Sequence, residues 1–249
     1  MALRPARHEV LIPDLDPAHD GLVITHLSDV HVGTMTPSSR IRHAVELSNA
    51  EEPDLVLMTG DYVCRSKRWV DAMGEQLRGL TAKHAVVATL GNHDYWCDAE
   101  GVKRQMMHNG YDVLMNQNTT LAIAGSALTV VGVDDAITNH DDAPAAFKGA
   151  HEGGTTLCLT HCPEIGPEAA ALGAQLIVSG HTHGGHLHHK KATPWLYKKL
   201  TGRNYLSGFY ELEDGAHLYV NRGVGASVFS PRIGEGARSE VAVFVLRRA

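Results

Sequence analysis

Short apolar runs alternate along the chain with longer stretches whose apolar residues recur every three or four positions. Leu22-Val-Ile-Thr-His-Leu27, Asp54-Leu-Val-Leu-Met-Thr59 and His84-Ala-Val-Val-Ala-Thr-Leu90 are continuous apolar runs of strand length and predict buried strands. Residues 37–51, 69–80 and 99–109 predict helices between and after them. Ile41, Ala44, Val45 and Ser48 share one face of the first; Val70, Met73, Leu77 and Leu80 form a stripe on the second; Gly110 stops the third. The second half is richer in strands. Residues 120–124 and 127–133 flank Gly125-Ser126 and predict a hairpin, as do 209–212 and 217–220 around Glu213-Asp-Gly-Ala216. Residues 155–160 and 174–179 are two more buried strands around a short helix at 163–172, and 241–246 is a closing strand. No Pro/Gly/Ser linker or internal repeat interrupts the pattern. It predicts one α/β domain over residues 1–249, with a mixed sheet or two sheets. The basic, proline-interrupted stretch 188–203 reads as an exposed loop.

Composition narrows the class. The 249 residues carry 22 Lys+Arg against 28 Asp+Glu, a net charge of −6. That balance argues against gripping nucleic-acid backbones, but not against a phosphate substrate held through cations. Four cysteines without C-x-x-C spacing fit a reduced compartment and no disulfide framework. The first residues lack the apolar core of a signal peptide, and no apolar run approaches the roughly 18 residues of a membrane span. These readings predict a cytoplasmic location. The unusual count is histidine, at 17.

The histidines and several carboxylates fall where predicted strands end. Asp29 and His31 follow the first strand, Asp61 the second, and Asn92, His93 and Asp94 the third. His161 follows the 155–160 strand, and His181 and His183 follow the 174–179 strand. Carboxyl ends of parallel strands line one crevice, so these residues are expected to meet there. Asp29/His31 and His181/His183 are two apart, so on extended backbone each pair would point the same way. One such residue is ordinarily a cap or turn residue. Five clusters at five strand ends are a metal site, and the donors exceed what one tetrahedral ion takes. Two metals sharing a carboxylate fit better. His43, His84, His108, His140, His151 and His217 read as surface or core histidines, and Cys64 and Cys97 as packing residues.

In this order, Asp29-x-His31, Gly60-Asp61, Gly91-Asn-His-Asp94, His161 and Gly180-His-Thr-His183 resemble the calcineurin-like metallophosphoesterase superfamily. Tyr219-Val-Asn-Arg-Gly-Val-Gly225 and Pro231-Arg-Ile resemble its bacterial branch of phosphodiesterases and UDP-diacylglucosamine hydrolases. The resemblance implies an αββα fold, a two-sheet sandwich flanked by helices, with a dinuclear site at one edge. It implies that Asp29, His31 and His183 bind one divalent ion (Mn, Fe or Zn) and Asn92, His161 and His181 a second. Asp61 would bridge them, and His93 would face the substrate with Asp94 orienting its ring. His186 stands where the branch usually has Gln, and the membrane or export segment common in its members is not seen here.

The activity expected is phosphate-ester hydrolysis, most simply of diesters, by a hydroxide bridging the two metals, with His93 protonating the leaving oxygen. Hydrolysis of UDP-diacylglucosamine in lipid A synthesis is the alternative substrate reading, and a non-catalytic metal- or partner-binding module the alternative class. Arg222, before Gly223, is a candidate phosphate contact and equally a turn residue. The expected partner is a small or lipid-linked phosphate ester, with no obligate protein partner. A nuclease would need a basic groove with stacking aromatics, and aromatics are only 6% of residues. Lys190, Lys191, Lys198, Lys199 and Arg203, with Trp195, form a solvated loop or a peripheral contact with an anionic membrane.

Overall fold

The structure, a computed structural model, describes residues 3–33, 35–150, 153–185, 193, 195, 198, 199, 203–226 and 238–249. Among the described residues, twelve strands form two six-stranded sheets. The first sheet contains β1 (Arg4–Ile12), β12 (Glu240–Arg248), β2 (Val23–Leu27), β3 (Leu55–Thr59), β4 (Ala85–Thr89) and β5 (Asp112–Val113), in that spatial order. The second runs β10 (Gly208–Glu211), β11 (His217–Val220), β9 (Leu176–Ser179), β8 (Thr155–Thr160), β7 (Ser126–Val133), β6 (Gln117–Ile123). In the first sheet only β12 and β2 pair antiparallel. In the second, the two hairpins are antiparallel and β7, β8, β9 and β11 run parallel.

Alternation along each strand builds the layers. Leu55 and Leu57 of β3 pack with Leu157 and Leu159 of β8 and Leu176 and Val178 of β9 between the sheets. Val56 and Met58 face the opposite way, onto α1 (Ser38–Ala50), α2 (Val70–Leu77) and α4 (Ala99–His108) through Ile41, Met73 and Met106. On the far face, Cys158 and Ile177 meet α5 (Ala143–Phe147) and α6 (Gly166–Ala171) through Ala146 and Ala169. Strands buried on both faces explain the uninterrupted apolar runs. The fold is therefore the αββα sandwich expected.

Four elements lie outside the sequence pattern. β1 shows only Val10 and Ile12 fully turned inward and carries Pro5, which an edge strand tolerates. Its partner, β12, is more than two hundred residues away and parallel to it. α3 (Asn92–Cys97), β5 and α5 are too short for any periodicity to register. The first hairpin turns one residue earlier than expected: Ala124 and Gly125 have φ of 50° and 84°, the two positive values of a type I′ turn. In the 188–203 stretch, residues 188–192, 194, 196, 197 and 200–202 lie outside the described residues; Thr193, Trp195, Lys198 and Lys199 are helical, not loop. Lys199 Nζ sits 4.8 Å from the centroid of the Trp195 ring. His186 and Pro231-Arg-Ile also lie outside the described residues. Among those described, no helix is long and apolar enough to cross a membrane.

One polar plug joins the sheets beneath their carboxyl ends. His26 of β2 is fully buried, and burial pushes its ring down to about 3, so it stays neutral. Its Nε2 lies 2.8 Å from Thr59 Oγ1, and its Nδ1 3.3 Å from Asn221 Nδ2. The Asn221 backbone N–H in turn donates to Ser179 O at the end of β9 (2.8 Å). This ties the β2 end to the β9 end, from which the donor residues depart.

Candidate metal centre

Donors leave five strand ends and converge across both sheets: β2, β3 and β4 of the first, β8 and β9 of the second. Asp29 Oδ1 lies 3.3 Å from His183 Nε2 and 3.9 Å from His31 Nε2. The two ring nitrogens, His31 Nε2 and His183 Nε2, are 3.0 Å apart. His31 Nε2 is 3.5 Å from Asp61 Oδ2, and all four residues are buried. The same Asp61 Oδ2 is 3.5 Å from His161 Nε2, which is 3.2 Å from His181 Nδ1. Asn92, first residue of α3, is buried, and among the described residues its Oδ1 has no hydrogen-bond partner. Six of the seven expected ligands are thus joined by these distances, and Asn92 offers a bare buried oxygen.

The backbone achieves this differently from the sequence expectation. Asp29, His31, Asp61, His181 and His183 have φ of 50°, 49°, 56°, 72° and 52°. None is extended, so two-residue alternation does not aim them. Left-handed turns do, and Asp and His enter that region more readily than most residues. Such conformations persist where the surroundings over-determine them. Here the Asp29 N–H donates to Gly60 O (3.0 Å), the His31 N–H to Asp61 O (2.9 Å) and the Val32 N–H to Tyr62 O (2.8 Å), locking two donor loops side by side. Close approach also demands Gly91: a Cβ there would stand 2.5 Å from Asp61 Oδ1 and 2.9 Å from His161 Nδ1.

Hydrogen bonds at the far atoms aim the near ones. Ser28 Oγ and the His181 N–H donate to Asp29 Oδ2 at 2.7 and 3.1 Å, turning Oδ1 to the centre. His161 Nδ1 donates to Thr59 O (2.7 Å), which turns Nε2 toward Asp61. The His93 backbone N–H donates to Asp61 Oδ1 (2.8 Å), leaving Oδ2 as the shared oxygen. Ser28 and Thr59 carry no sequence signal beyond being polar at strand ends.

Asp94 has a different task from orienting the His93 ring. Its Oδ1 accepts from Tyr62 N (2.9 Å) and Val63 N (3.2 Å), and its Oδ2 from Asp61 N and Gly91 N (2.9 Å each). Both oxygens are committed to the backbone that carries Asp61. Asp94→Asn replaces an acceptor oxygen with a donor against these amides. We expect metal affinity to fall by about 10–100-fold, as for outer-sphere partners generally, read by equilibrium dialysis of Mn²⁺. An unchanged affinity with reduced turnover would return Asp94 to the His93 ring.

Charge is arranged for a cation. Burial opposes ionisation of Asp61, but His161 and His31 outweigh it and hold the carboxyl well below the usual range. Burial likewise opposes a charge on His161, yet Asp61 lifts that ring to about 10. Burial, with His161 beside it, pushes His181 down to about 3, leaving it a neutral donor. Burial, then the Asp61 charge, push Asp94 up to about 7 against its amide donors. Donor spacings of 3.0–3.9 Å match the edges of a coordination polyhedron with bonds of about 2.0–2.2 Å. His, Asp and Asn donors in this geometry fit divalent transition ions.

The remaining candidates separate. The half-buried His93 ring stands 4.8 Å from the His31 ring, edge to face, and outside the Asp29–His31–Asp61–His183 group. Cys64, read as packing, is buried with a sulfur inside the site: it, one His31 nitrogen and one His93 nitrogen lie within 4.8 Å of one another. Arg222 is committed elsewhere. Its guanidinium pairs with Glu240, whose Oε1 also accepts from the Arg222 N–H (3.0 Å) and Tyr219 Oη (2.9 Å). That places it in a part-buried ion pair at the start of β12.

A family model described as calcineurin-like phosphoesterase matches residues 22–185, the span from β2 through the second histidine pair. The chain belongs to the calcineurin-like phosphoesterase family. It is accordingly a metallophosphoesterase, a hydrolase of phosphate esters. It is 29% identical over 231 residues to the uncharacterized metallophosphoesterase YkoQ of Bacillus subtilis, covering 90% of this chain and 83% of that protein. It is 26% identical over 254 residues to a Danio rerio transmembrane protein with metallophosphoesterase domain, covering 97% of this chain and 56% of that one. The fold is shared with the Haemophilus influenzae NAD nucleotidase NadN (TM-score 0.56, 16% identity, 82% of this chain and 46% of that one). It is also shared with the TT1561 protein of Thermus thermophilus (TM-score 0.54, 10% identity, 82% and 90%). This calcineurin-like phosphoesterase thus has its donors on the same loops that the family model spans.

Proposed function

We propose that the protein hydrolyses phosphodiesters at a centre of two divalent metal ions. The observation that carries the dinuclear reading is the Asp61 Oδ2 atom, 3.5 Å from both His31 Nε2 and His161 Nε2. One carboxylate oxygen facing two separate sets of neutral and anionic donors is the arrangement of a shared ligand. Asp29, His31 and His183 would hold one ion, and Asn92, His161 and His181 the other. When bound, the ions supply Lewis acidity at the phosphoryl oxygens and lower the pKa of water at the site. The chain's own residues do the rest. Asp94 and the His93 backbone N–H hold Asp61 in place, and the His93 ring stands at the rim where a leaving oxygen can take its proton. The diester preference rests on the resemblance of the motifs. UDP-diacylglucosamine, whose phosphoanhydride likewise links two substituents, is the substrate alternative.

The test combines metal analysis with kinetics. Chelation is expected to abolish hydrolysis of bis-p-nitrophenyl phosphate, and Mn²⁺ to restore it as the content returns to two ions per chain. Full activity at one ion per chain would end the dinuclear reading. Activity surviving complete metal removal would end the metal mechanism. Faster hydrolysis of p-nitrophenyl phosphate than of its bis-ester, or hydrolysis of UDP-diacylglucosamine alone, would replace the diester assignment.

A further inference from the structure

We infer that Trp96 is a stacking platform for a planar aromatic group on the ester, so that this enzyme's substrates are nucleoside phosphates, carrying a base to lie on it. The inference rests on the phosphoesterase reading above and concerns what the phosphate carries. Trp96 is 63% exposed, although burying an aromatic of this size is among the larger single gains in folding. It occupies α3, the helix whose Asn92 and Asp94 are buried in the metal centre, so its position is fixed relative to the donors. Its ring centroid lies 5.1 Å from that of His93, tilted by 57°, and the His93 ring lies 4.8 Å from that of His31. The indole is therefore two ring contacts from His31, on the side where the His93 ring stands. Among the described residues, no ring but that of His93 touches it.

The neighbouring aromatic shows what a structural role looks like. Tyr95 is half-buried, hydrogen-bonds through Oη to Asp134 Oδ2 at 2.5 Å and stacks on His140 at 4.0 Å. Among the described residues, Trp96 has only the tilted contact with the His93 ring. A lipid chain would need a continuous apolar strip, whereas the residues that follow Trp96 include Asp98 and the exposed Glu100. An exposed flat indole beside the His93 ring suits a group with an aromatic face and polar edges, which is a nucleobase. A polymer is disfavoured by the net charge of −6.

The experiment titrates AMP and ribose 5-phosphate, which share the phosphate and the sugar, into Mn²⁺-loaded protein by calorimetry. Wild type is expected to bind AMP about tenfold more tightly, the scale of one base on one aromatic face. Trp96→Ala should bind AMP no better than ribose 5-phosphate, with unchanged metal content, and Trp96→Phe should keep most of the preference. Equal affinities in wild type, or a preference that survives Trp96→Ala, would overturn the inference and leave the phosphoesterase reading standing. Binding of neither phosphate would strike that reading itself and take the inference with it.

Discussion

Asp61→Ala is expected to strip the metal and the activity together. Its Oδ2 is the single atom 3.5 Å from donors of both sets, and its Oδ1 holds the first turn of α3 through the His93 N–H. In the two-ion centre proposed above, removing the carboxylate would leave both cations without their shared negative charge. It also frees the α3 terminus that presents Asn92. The loss should exceed the about 10–100-fold that outer-sphere changes cost, in both metal affinity and turnover. Asp61→Asn keeps the shape and one acceptor oxygen but not the charge, so it should bind metal weakly and turn over slowly. Metal content by mass spectrometry beside the rate on bis-p-nitrophenyl phosphate reads both. Retention of two ions by Asp61→Ala would show that the donors are organised without a bridging carboxylate.

His93→Ala should have the opposite signature. The contact between residue 93 and Asp61 is made by the backbone N–H, so it survives the substitution, and alanine is well tolerated in a helix. Metal content should stay near that of wild type. Turnover should fall by about 10²–10⁴-fold if the ring protonates the leaving oxygen. The loss should be smaller for p-nitrophenyl esters, whose leaving group needs little protonation, and larger for alkyl esters. Burial depresses the His93 ring by more than the Asp61 charge raises it, so its titration should move lower still when cations cover Asp61. Equal slowing of both ester types, or loss of metal, would make the ring a uniform electrostatic contact or a ligand. Cys64 Sγ, close to both His93 and His31, gives the second outcome a physical route, since a thiolate and two imidazoles are a metal-binding set.

The strands and their order were legible because each is a local event. Val23–Leu27, Leu55–Thr59, Ala85–Thr89, Thr155–Thr160 and Leu176–Ser179 are apolar throughout or nearly so, being buried on both faces, and a polar residue marks where each leaves the core. The donor residues were legible for the same reason. A His or Asp immediately after a buried strand stands at the rim of the sheet, whatever the rest of the fold does. Asp29, His31, Asp61, Asn92, His93, Asp94, His161, His181 and His183 therefore emerge as candidates from the strand ends they follow and from their order along the chain, whereas the split into metal-binding and substrate-facing residues is what the family resemblance implies.

What only the tertiary structure decided is everything that depends on a partner distant in sequence. β1 is half polar and becomes a strand because β12 offers it a parallel edge. The donor loops turn left-handed because backbone amides of one are bonded to carbonyls of the other, which no local pattern encodes. Asp94 follows His93 by one residue, so sequence proximity suggested that it serves that ring. Through space, four amides claim it instead, two of them from the residues after Asp61. Arg222 lies beside a glycine turn yet is drawn to Glu240, eighteen residues on, because a buried carboxylate needs its counter-charge. Sequence identifies which side chains are able to ligate and roughly where the strands leave the core. Which oxygen of Asp61 faces both histidine sets, and which aromatic stands uncovered beside them, are set by the packing of two sheets against each other.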